Sequence, residues 1–299
     1  MRQLEVLLAV ARSGSMAKAA EALAITQPVV SKSIADLEAT LGVRLLDRTT
    51  RGIDLTLFGQ ALLERSVAIF NDLKTSVNEL DFLADGTGGH LRIGSSDTIA
   101  FGMLGVILDQ LSRRYPRLNF EAITGLPHGD LVARKIDLVI GRLPGAIPND
   151  MNVTTLYEEE AYIVTSEHSA LTRRRKVPLA ELVDQQWCGI SFDSFPFSLW
   201  TGAFQARGLK MPRNVVETPS LLAQMSLART GHFITILPRT MIHFGGHHLK
   251  KIDIDLPAPT YPVGILTLKN RAPNPITPVF INCAREVAKP FLRAKRLRQ

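Results

Sequence analysis

Four polar residues at the start of one short helix carry the most specific chemistry in this sequence: Gln27, Ser31, Lys32 and Ser33. Gln can pair in two-pronged fashion with an adenine edge, Ser is an adaptable donor, and Lys suits guanine or a phosphate. All lie off the apolar stripe of Val30, Ile34, Leu37 and Leu41, which recurs at the period of a helix burying one face. Solvated polar residues at any helix start look partly like this, so the frame around them decides. Thr26 is placed to cap the first amides, Pro28 is tolerated in a first turn, and Gly42 stands where the helix should stop. Upstream, Met16, Ala19, Ala20 and Leu23 fall at helical spacing, with small residues where two helices must approach closely. Ala24, Ile25 and Thr26 form the break. Two short amphipathic helices joined by a tight turn predict a helix-turn-helix, with the start of its second helix in a major groove. The candidate DNA contacts on that helix are Gln27, Pro28, Ser31, Lys32 and Ser33.

The elements that must hold this helix follow on both sides. Leu4, Leu7, Leu8 and Ala11 give a first helix a core-facing stripe. After Gly42, apolar Leu45–Leu46 and Ile53–Leu55 flank the basic turn Asp47–Gly52, predicting a β-hairpin wing. Arg48 and Arg51 would then face the DNA backbone or the minor groove; the alternative is a solvated loop. Thr56 opens a long helix in which Leu63, Phe70, Val77 and Ala84 recur every seven residues, with Leu73 and Leu80 between them and Leu62 and Ile69 alongside. That is a helix built to pair with another. Asp85–Gly89 is expected to break it as a flexible hinge; it lacks the pattern of a phosphate-binding glycine loop.

The order and spacing of these features resemble the LysR-type transcriptional regulators. The residues that carry the resemblance are Leu4, Leu7, Leu8, Gly14–Ser15, Ala19–Ala20, Gln27–Pro28, Ser31, Leu37–Glu38, Leu41–Gly42, Leu45, Arg48 and Leu55–Thr56. Met16 and Leu46 depart from it, standing where an aromatic is more usual, and both keep apolar bulk. The resemblance implies a winged helix-turn-helix over residues 1–58, a linker and dimerisation helix over 59–89, and an effector domain over 90–299 with the periplasmic-binding-protein fold. It also implies a homodimer or homotetramer, double-stranded promoter DNA and a small-molecule effector as partners, and RNA polymerase as a further candidate. It implies no cofactor and no catalytic residue.

The chain has 299 residues, enough for two or three domains, and a formal net charge of +7. A basic balance fits a nucleic-acid partner. Here, however, the excess sits at Arg173–Lys176 and in Lys289–Arg298, while the first sixty residues are nearly balanced. DNA binding therefore rests on placed residues, not on net charge. No apolar run reaches the length of a membrane span, and Leu4–Val10 is interrupted by Glu5 with no cleavage site after it. The expected location is the cytoplasm, at the nucleoid. Cys188 and Cys283 are far apart in sequence, and reduced thiols are expected.

From His90 onward, short strands alternate with helices, predicting parallel strands with crossover helices in two lobes. Lobe I is expected over about 90–160 and 269–299, and lobe II over about 161–268, with crossovers near Glu160–Thr165 and Gly264–Lys269. Ligands of such lobes bind beyond the carboxyl ends of the strands. Those ends place Ser95, Ser96, Thr98, Gly125, Leu126, Ser191, Phe197 and Thr218 as candidate effector residues. The effector expected there is an organic acid, an aromatic acid or a sugar. Single helix caps and turns would account for each of these residues one at a time. Three further groups are set aside: His243, His247 and His248 lack a completing ligand, Glu158–Glu160 reads as a solvated strand edge, and Gly189–Asp193 lacks a nucleophile elbow's second glycine. An enzyme finds no catalytic constellation here, and an exported solute-binding module would carry a signal and no helix-turn-helix.

Overall fold

A computed structural model describes residues 1–49, 52–85, 88–125, 128–271 and 273–292. Helices α1 (Arg2–Ser13), α2 (Met16–Ala22) and α3 (Gln27–Leu41) pack around Val6, Leu7, Val10, Ala19, Ala20, Val30, Ile34 and Leu37. The buried face of α1 is turned from the expected stripe: Val6 and Val10 join Leu7, and Leu4 and Leu8 are half-buried. Ala24 adopts a left-handed φ of 51° in the α2–α3 turn, and the Ile25 amide returns to the Ala20 carbonyl at 3.0 Å. Gly42 ends α3 at φ 69°, where a side chain would be strained. The expected Thr26 side-chain cap is not made; its carbonyl instead accepts from Val29 and Val30 at 3.0 and 3.2 Å.

The wing is an antiparallel pair, β1 (Leu46–Thr49) and β2 (Gly52–Leu55), with Leu46 opposite Leu55. Glu38 ties it to α3, one carboxylate oxygen accepting from the amides of Leu45 and Leu46 at 2.6 and 3.2 Å. Thr56 then starts α4 (Leu57–Asp85): its hydroxyl donates to the Arg44 carbonyl at 2.7 Å and accepts from the Gly59 amide at 3.0 Å. Gly59 is required for this docking, since a Cβ there would lie 2.0 Å from the Leu45 carbonyl oxygen. α4 has 29 residues, so it is about 43 Å long.

The remaining chain is one mixed sheet divided between two lobes. In chain order it runs β3 (Gly88–Ser95), α5 (Asp97–Ile99), a π-helical turn (Ala100–Leu104), α6 (Gly105–Arg114), β4 (Arg117–Thr124), α7 (His128–Val132), β5 (Leu138–Arg142) and β6 (Met151–Ser166). Then come β7 (Gln186–Gly189), α8 (Ser198–Gln205), β8 (Asn214–Glu217), α9 (Leu221–Arg229), β9 (Phe233–Pro238), α10 (Arg239–Phe244), β10 (Leu249–Lys251), β11 (Thr260–Leu268) and α11 (Ile276–Ala288). The strand order is β4-β3-β5-β11-β6-β9-β7-β8, with β10 on β6. The outer pairs are parallel, as the alternating pattern predicts, whereas β5, β11, β6 and β9 pair antiparallel.

β6 is the shared element. Its first part, through Glu160, pairs with β11; Ala161–Val164 pair with β9. The first crossing therefore falls at Glu160/Ala161. The second crossing precedes Thr260, not at Gly264–Lys269, because Val263–Leu266 pair with Arg142–Val139 of lobe I. β11 thus belongs to lobe I, which corrects the expected lobe II limit of 268. The glycine hinge is also shorter than expected. Gly88 and Gly89 are already in β3, opposite Arg117 and Leu118, and Gly86 and Thr87 lie outside the described residues. Both tryptophans are sealed in lobe II with their indole N–H groups satisfied: Trp187 donates to the Leu182 carbonyl at 2.7 Å and Trp200 to Ala161 at 3.0 Å.

α4 is clamped to lobe I by a polar network. Arg92 and Arg271 reach the buried Asp137 carboxylate at 3.0 and 3.2 Å, and Arg92 also donates to Asn71 and Thr75 on α4. Asp72 of α4 pairs with Arg271 at 3.1 Å and with Arg134. Burial pulls the Arg271 guanidinium below its ordinary pKa, and Asp137 and Asp72 oppose that pull. On another side of α4, Ile69, Leu73, Val77, Leu80 and Leu83 stand exposed, Leu83 to 70%. Among the described residues no helix is long and apolar enough to cross a membrane.

Candidate functional site

The polar start of α3 faces solvent. Gln27, Pro28 and Lys32 are exposed, Ser31 and Ser33 are half-buried, and the apolar stripe beneath holds the helix on α1 and α2. Leu41, expected in that stripe, is 45% exposed because the helix leaves its core in the last turn. This leaves one helix end with glutamine, serine and lysine groups able to reach into a groove. Arg48 occupies β1 opposite Ile53, and Arg51 lies outside the described residues.

The second site is a cavity of about 310 Å3 between the lobes, at the lower end of the range for small-molecule sites. Lobe I contributes Ser96, Asp97, Thr98 and Ile99 from the start of α5, Arg142 from the end of β5, Glu159 from β6, and Tyr261 and Val263 from β11. Lobe II contributes Ile190, Phe195, Pro196, Phe197, Pro219, Leu221, Gln224 and Ile236–Pro238. Of the residues expected from strand ends, Ser96, Thr98 and Phe197 line the cavity. Ser96 caps α5, accepting from the Ile99 amide at 3.4 Å, and its hydroxyl meets Thr98 at 3.0 Å. Phe197 lies 1% exposed against Trp187 and Phe192, so it is more wall than contact.

The other candidates are not brought into the lining. Ser95 is fully buried below it, and its hydroxyl has no hydrogen-bond partner among the described residues. Gly125 is exposed at φ 101° and away from the cavity, and Leu126 lies outside the described residues. Ser191 and Thr218 spend their polar groups locally: the Ser191 hydroxyl accepts from Asp193, while Thr218 accepts from Ser220 and donates its amide to Gly189 at 2.7 Å. Each hydroxyl sits at the expected strand end but turns to its own backbone.

Two lining residues that sequence reasoning missed define the electrostatics. Arg142 stacks its guanidinium 4.1 Å from the centre of the Phe195 ring, and Phe195 meets Tyr261 edge to face at 4.7 Å. Arg142 and Tyr261 belong to lobe I and Phe195 to lobe II, so these contacts join the lobes across the cavity. Arg142 has no carboxylate partner among the described residues. Glu159, 1% exposed, accepts from the Tyr157 hydroxyl at 3.3 Å, the Thr240 hydroxyl and amide, and the Glu160 amide at 3.0 Å, with Arg239 3.9 Å away. Burial pushes its carboxyl above the ordinary value, against the lowering effect of the Thr240 hydrogen bond. The expected solvated edge at Glu158–Glu160 is therefore corrected: the middle carboxylate turns inward because Thr240 supplies its donors. Burial also raises Tyr157, with Glu159 adding to it. Cys188 is buried and pushed up to about 11, and Cys283 is raised by burial as well. Both are thiols at neutral pH.

Comparison with known proteins places both parts of the chain within one family. Residues 1–60 match the family described as bacterial regulatory helix-turn-helix protein, lysR family, and residues 84–289 match the LysR substrate binding domain. The chain is 28% identical over 290 residues to the HTH-type transcriptional regulator TdcA of Escherichia coli (strain K12), covering 95% of this chain and 92% of that one. It is 27% identical over 250 residues to GbpR of Rhizobium radiobacter, covering 82% and 83%. In fold it is similar to full-length CbnR crystallised with its target DNA, at TM-score 0.71 and 23% identity over 96% of this chain and 99% of that one. It is also similar to full-length OxyR of Pseudomonas aeruginosa, at TM-score 0.65 and 20% identity over 96% of each chain.

Proposed function

This chain belongs to the LysR family of bacterial transcriptional regulators, and from that premise we propose that it reads promoter DNA as a dimer and answers to a compact organic acid bound between its lobes. The reading of DNA falls to Gln27, Ser31, Lys32 and Ser33, with Arg48 and Arg51 holding the backbone beside them. Pairing falls to the exposed row of α4. Five large apolar side chains, Ile69, Leu73, Val77, Leu80 and Leu83, lie in water in the single chain, and burying them against the same helix of a second copy removes that cost. Two recognition helices about a two-fold axis then meet two half-sites. A DNA-complexed relative of the same fold is consistent with this. The protein acts in the cytoplasm, where promoters are.

The observation that carries the effector reading is Arg142, a guanidinium without a carboxylate partner at the cavity, stacked on a ring of the opposite lobe. Its fork suits a carboxylate. Ile190, Ile236, Leu237 and Val263 offer an apolar wall to the body of the molecule, and Ser96 and Thr98 offer hydroxyls. This favours an organic or aromatic acid over a neutral sugar. An acid that takes Arg142 competes with the Arg142–Phe195 contact and so favours a different spacing of the lobes. α4 is clamped to lobe I through Asp72, so lobe movement is delivered to the coil that sets the distance between recognition helices. A ligand shifts this equilibrium only by its preference for one arrangement.

The test is a thermal-shift screen of small carboxylic acids and neutral sugars on the full chain, repeated on Arg142→Met. An acid that raises the melting temperature of the wild type and not of the variant supports the reading. A neutral sugar that stabilises both equally overturns the assignment of Arg142.

A further inference from the structure

Of the three histidines that looked like incomplete metal ligands, the fold separates one from the rest. His243 is packed edge-on against Phe244 and Phe291, with ring centres at 4.9 and 5.0 Å. His248 instead meets a residue 81 positions upstream. β10 runs antiparallel to β6 with Leu249 opposite Ser166, so Glu167 and His248 emerge side by side, the Glu167 amide donating to the His248 carbonyl at 2.9 Å. The His248 Nδ1 atom lies 2.7 Å from Glu167 Oε1, and His168 Nε2 lies 3.7 Å from the same oxygen. One donor atom from each of the three residues falls within 4.8 Å of the others.

The cluster is carried by a tied turn. The Thr172 hydroxyl is within hydrogen-bond reach of the Glu167 and Ser169 carbonyls, at 3.0 and 2.8 Å, and the His168 amide donates to the Ser166 hydroxyl at 3.3 Å. His248 sits in the left-handed region at φ 66°, which among non-glycine residues is adopted more often by asparagine, aspartate and histidine. In the metal-free chain the His248 ring can donate its Nδ1–H to the Glu167 carboxylate at 2.7 Å, and a bound cation would take the place of that proton. A neutral imidazole has one N–H donor and one lone pair, so a change of tautomer turns the nitrogen facing Glu167 from a donor into a metal ligand. Two imidazoles and one carboxylate are a zinc-type donor set, three protein ligands with a fourth position left to water. Ligand atoms of such a shell, at about 2.0–2.1 Å from the ion, stand roughly 3.3 Å apart. His168, whose side chain is 79% exposed, can turn inward to reach that spacing.

We propose that Glu167, His168 and His248 form a surface site for a zinc-class divalent ion on the second lobe, separate from the interlobe cavity. The ion would clip the turn after β6 to the start of β10. This site does not depend on the regulatory reading, and its test uses no DNA and no effector.

The experiment is calorimetric titration of the tag-free, chelator-treated full chain with zinc chloride, with magnesium chloride as the control. One zinc ion per chain at a low-micromolar dissociation constant, no magnesium heat, and a higher melting temperature with zinc are expected. His248→Asn keeps a residue that tolerates the left-handed backbone and removes the imidazole; Glu167→Gln and His168→Ala remove the other donors. Each should weaken zinc binding by about tenfold or more while leaving the metal-free melt unchanged. His90→Ala, at the exposed His90–Glu121 pair of lobe I, should bind zinc as the wild type does. Zinc held no more tightly than magnesium, or an unchanged isotherm in both His248→Asn and Glu167→Gln, overturns the site.

Discussion

Replacing Asp137 by Asn tests the clamp between α4 and lobe I. The Asp137 side chain is 2% exposed and is approached by the Arg92 guanidinium at 3.0 Å, the Arg271 guanidinium at 3.2 Å, the Arg92 amide at 2.9 Å and Asn274 at 3.3 Å. Asn keeps the shape and most acceptor positions but removes a charge shared by two guanidiniums whose own side chains are each 8% exposed, leaving Arg271 only the half-buried Asp72 at 3.1 Å. Removing one partner of a buried ion pair costs about 3–5 kcal/mol, because the other charge stays buried and uncompensated. For a unit of this size each kcal/mol moves the melting temperature by about 2–4 °C. The melt of the lobed domain should therefore fall by about 6–20 °C, with the helix-turn-helix unaffected. Differential scanning calorimetry of the full chain reads both. Asp72, whose side chain is 34% exposed, is better solvated, and Asp72→Asn should cost about 1 kcal/mol or less while loosening α4 in hydrogen exchange. A drop below about 2 °C for Asp137→Asn would refute the argument that this network is a desolvated, charge-balanced clamp.

Three other outcomes follow from the same geometry. Gln27→Ala should weaken binding to a selected operator by about 1–3 kcal/mol and relax the preference at one base pair, read by fluorescence anisotropy on single-base variants; uniform weakening at every sequence would contradict base reading. Leu73→Asp with Leu80→Asp places two charges in the exposed row of α4 and should give a monomer in sedimentation with lost operator affinity; an intact dimer would move the interface elsewhere. Glu159 has a folded-state pKa above its ordinary value of 4.5, so the folded chain keeps a proton that the unfolded chain has released. Its contribution to stability falls as pH rises through that window and levels off above it. Glu159→Gln should therefore gain on the wild type as pH rises from about 4.5, and melting curves that stay parallel with pH would rule this out.

The helix-turn-helix was legible because its determinants are local. Ala19 and Ala20 report a close helix approach, and Gly42 reports a left-handed stop; neither needs a distant partner. The cavity was legible only where a strand end and a helix start are neighbours in sequence, as at Ser96 and Thr98. Ser191 and Thr218 satisfy the same local rule, yet their hydroxyls serve the adjacent backbone. Arg142 reaches the cavity through its register against Val263, 121 positions later, and no local pattern carries that. Glu159 looks solvated inside an acidic run and is buried because Thr240 arrives from a distant helix. Gly88 and Gly89 have the composition of a hinge, but the pairing with Arg117 and Leu118 makes them strand.

The most direct test of the whole account is to measure the affinity and stoichiometry of the full chain on duplexes selected from a random pool, against a scrambled duplex, at fixed physiological salt. The account predicts two chains per pair of half-sites and a preference of about a thousandfold or more for the selected sequence. A single chain bound per duplex, with equal affinity for selected and scrambled DNA, would contradict it.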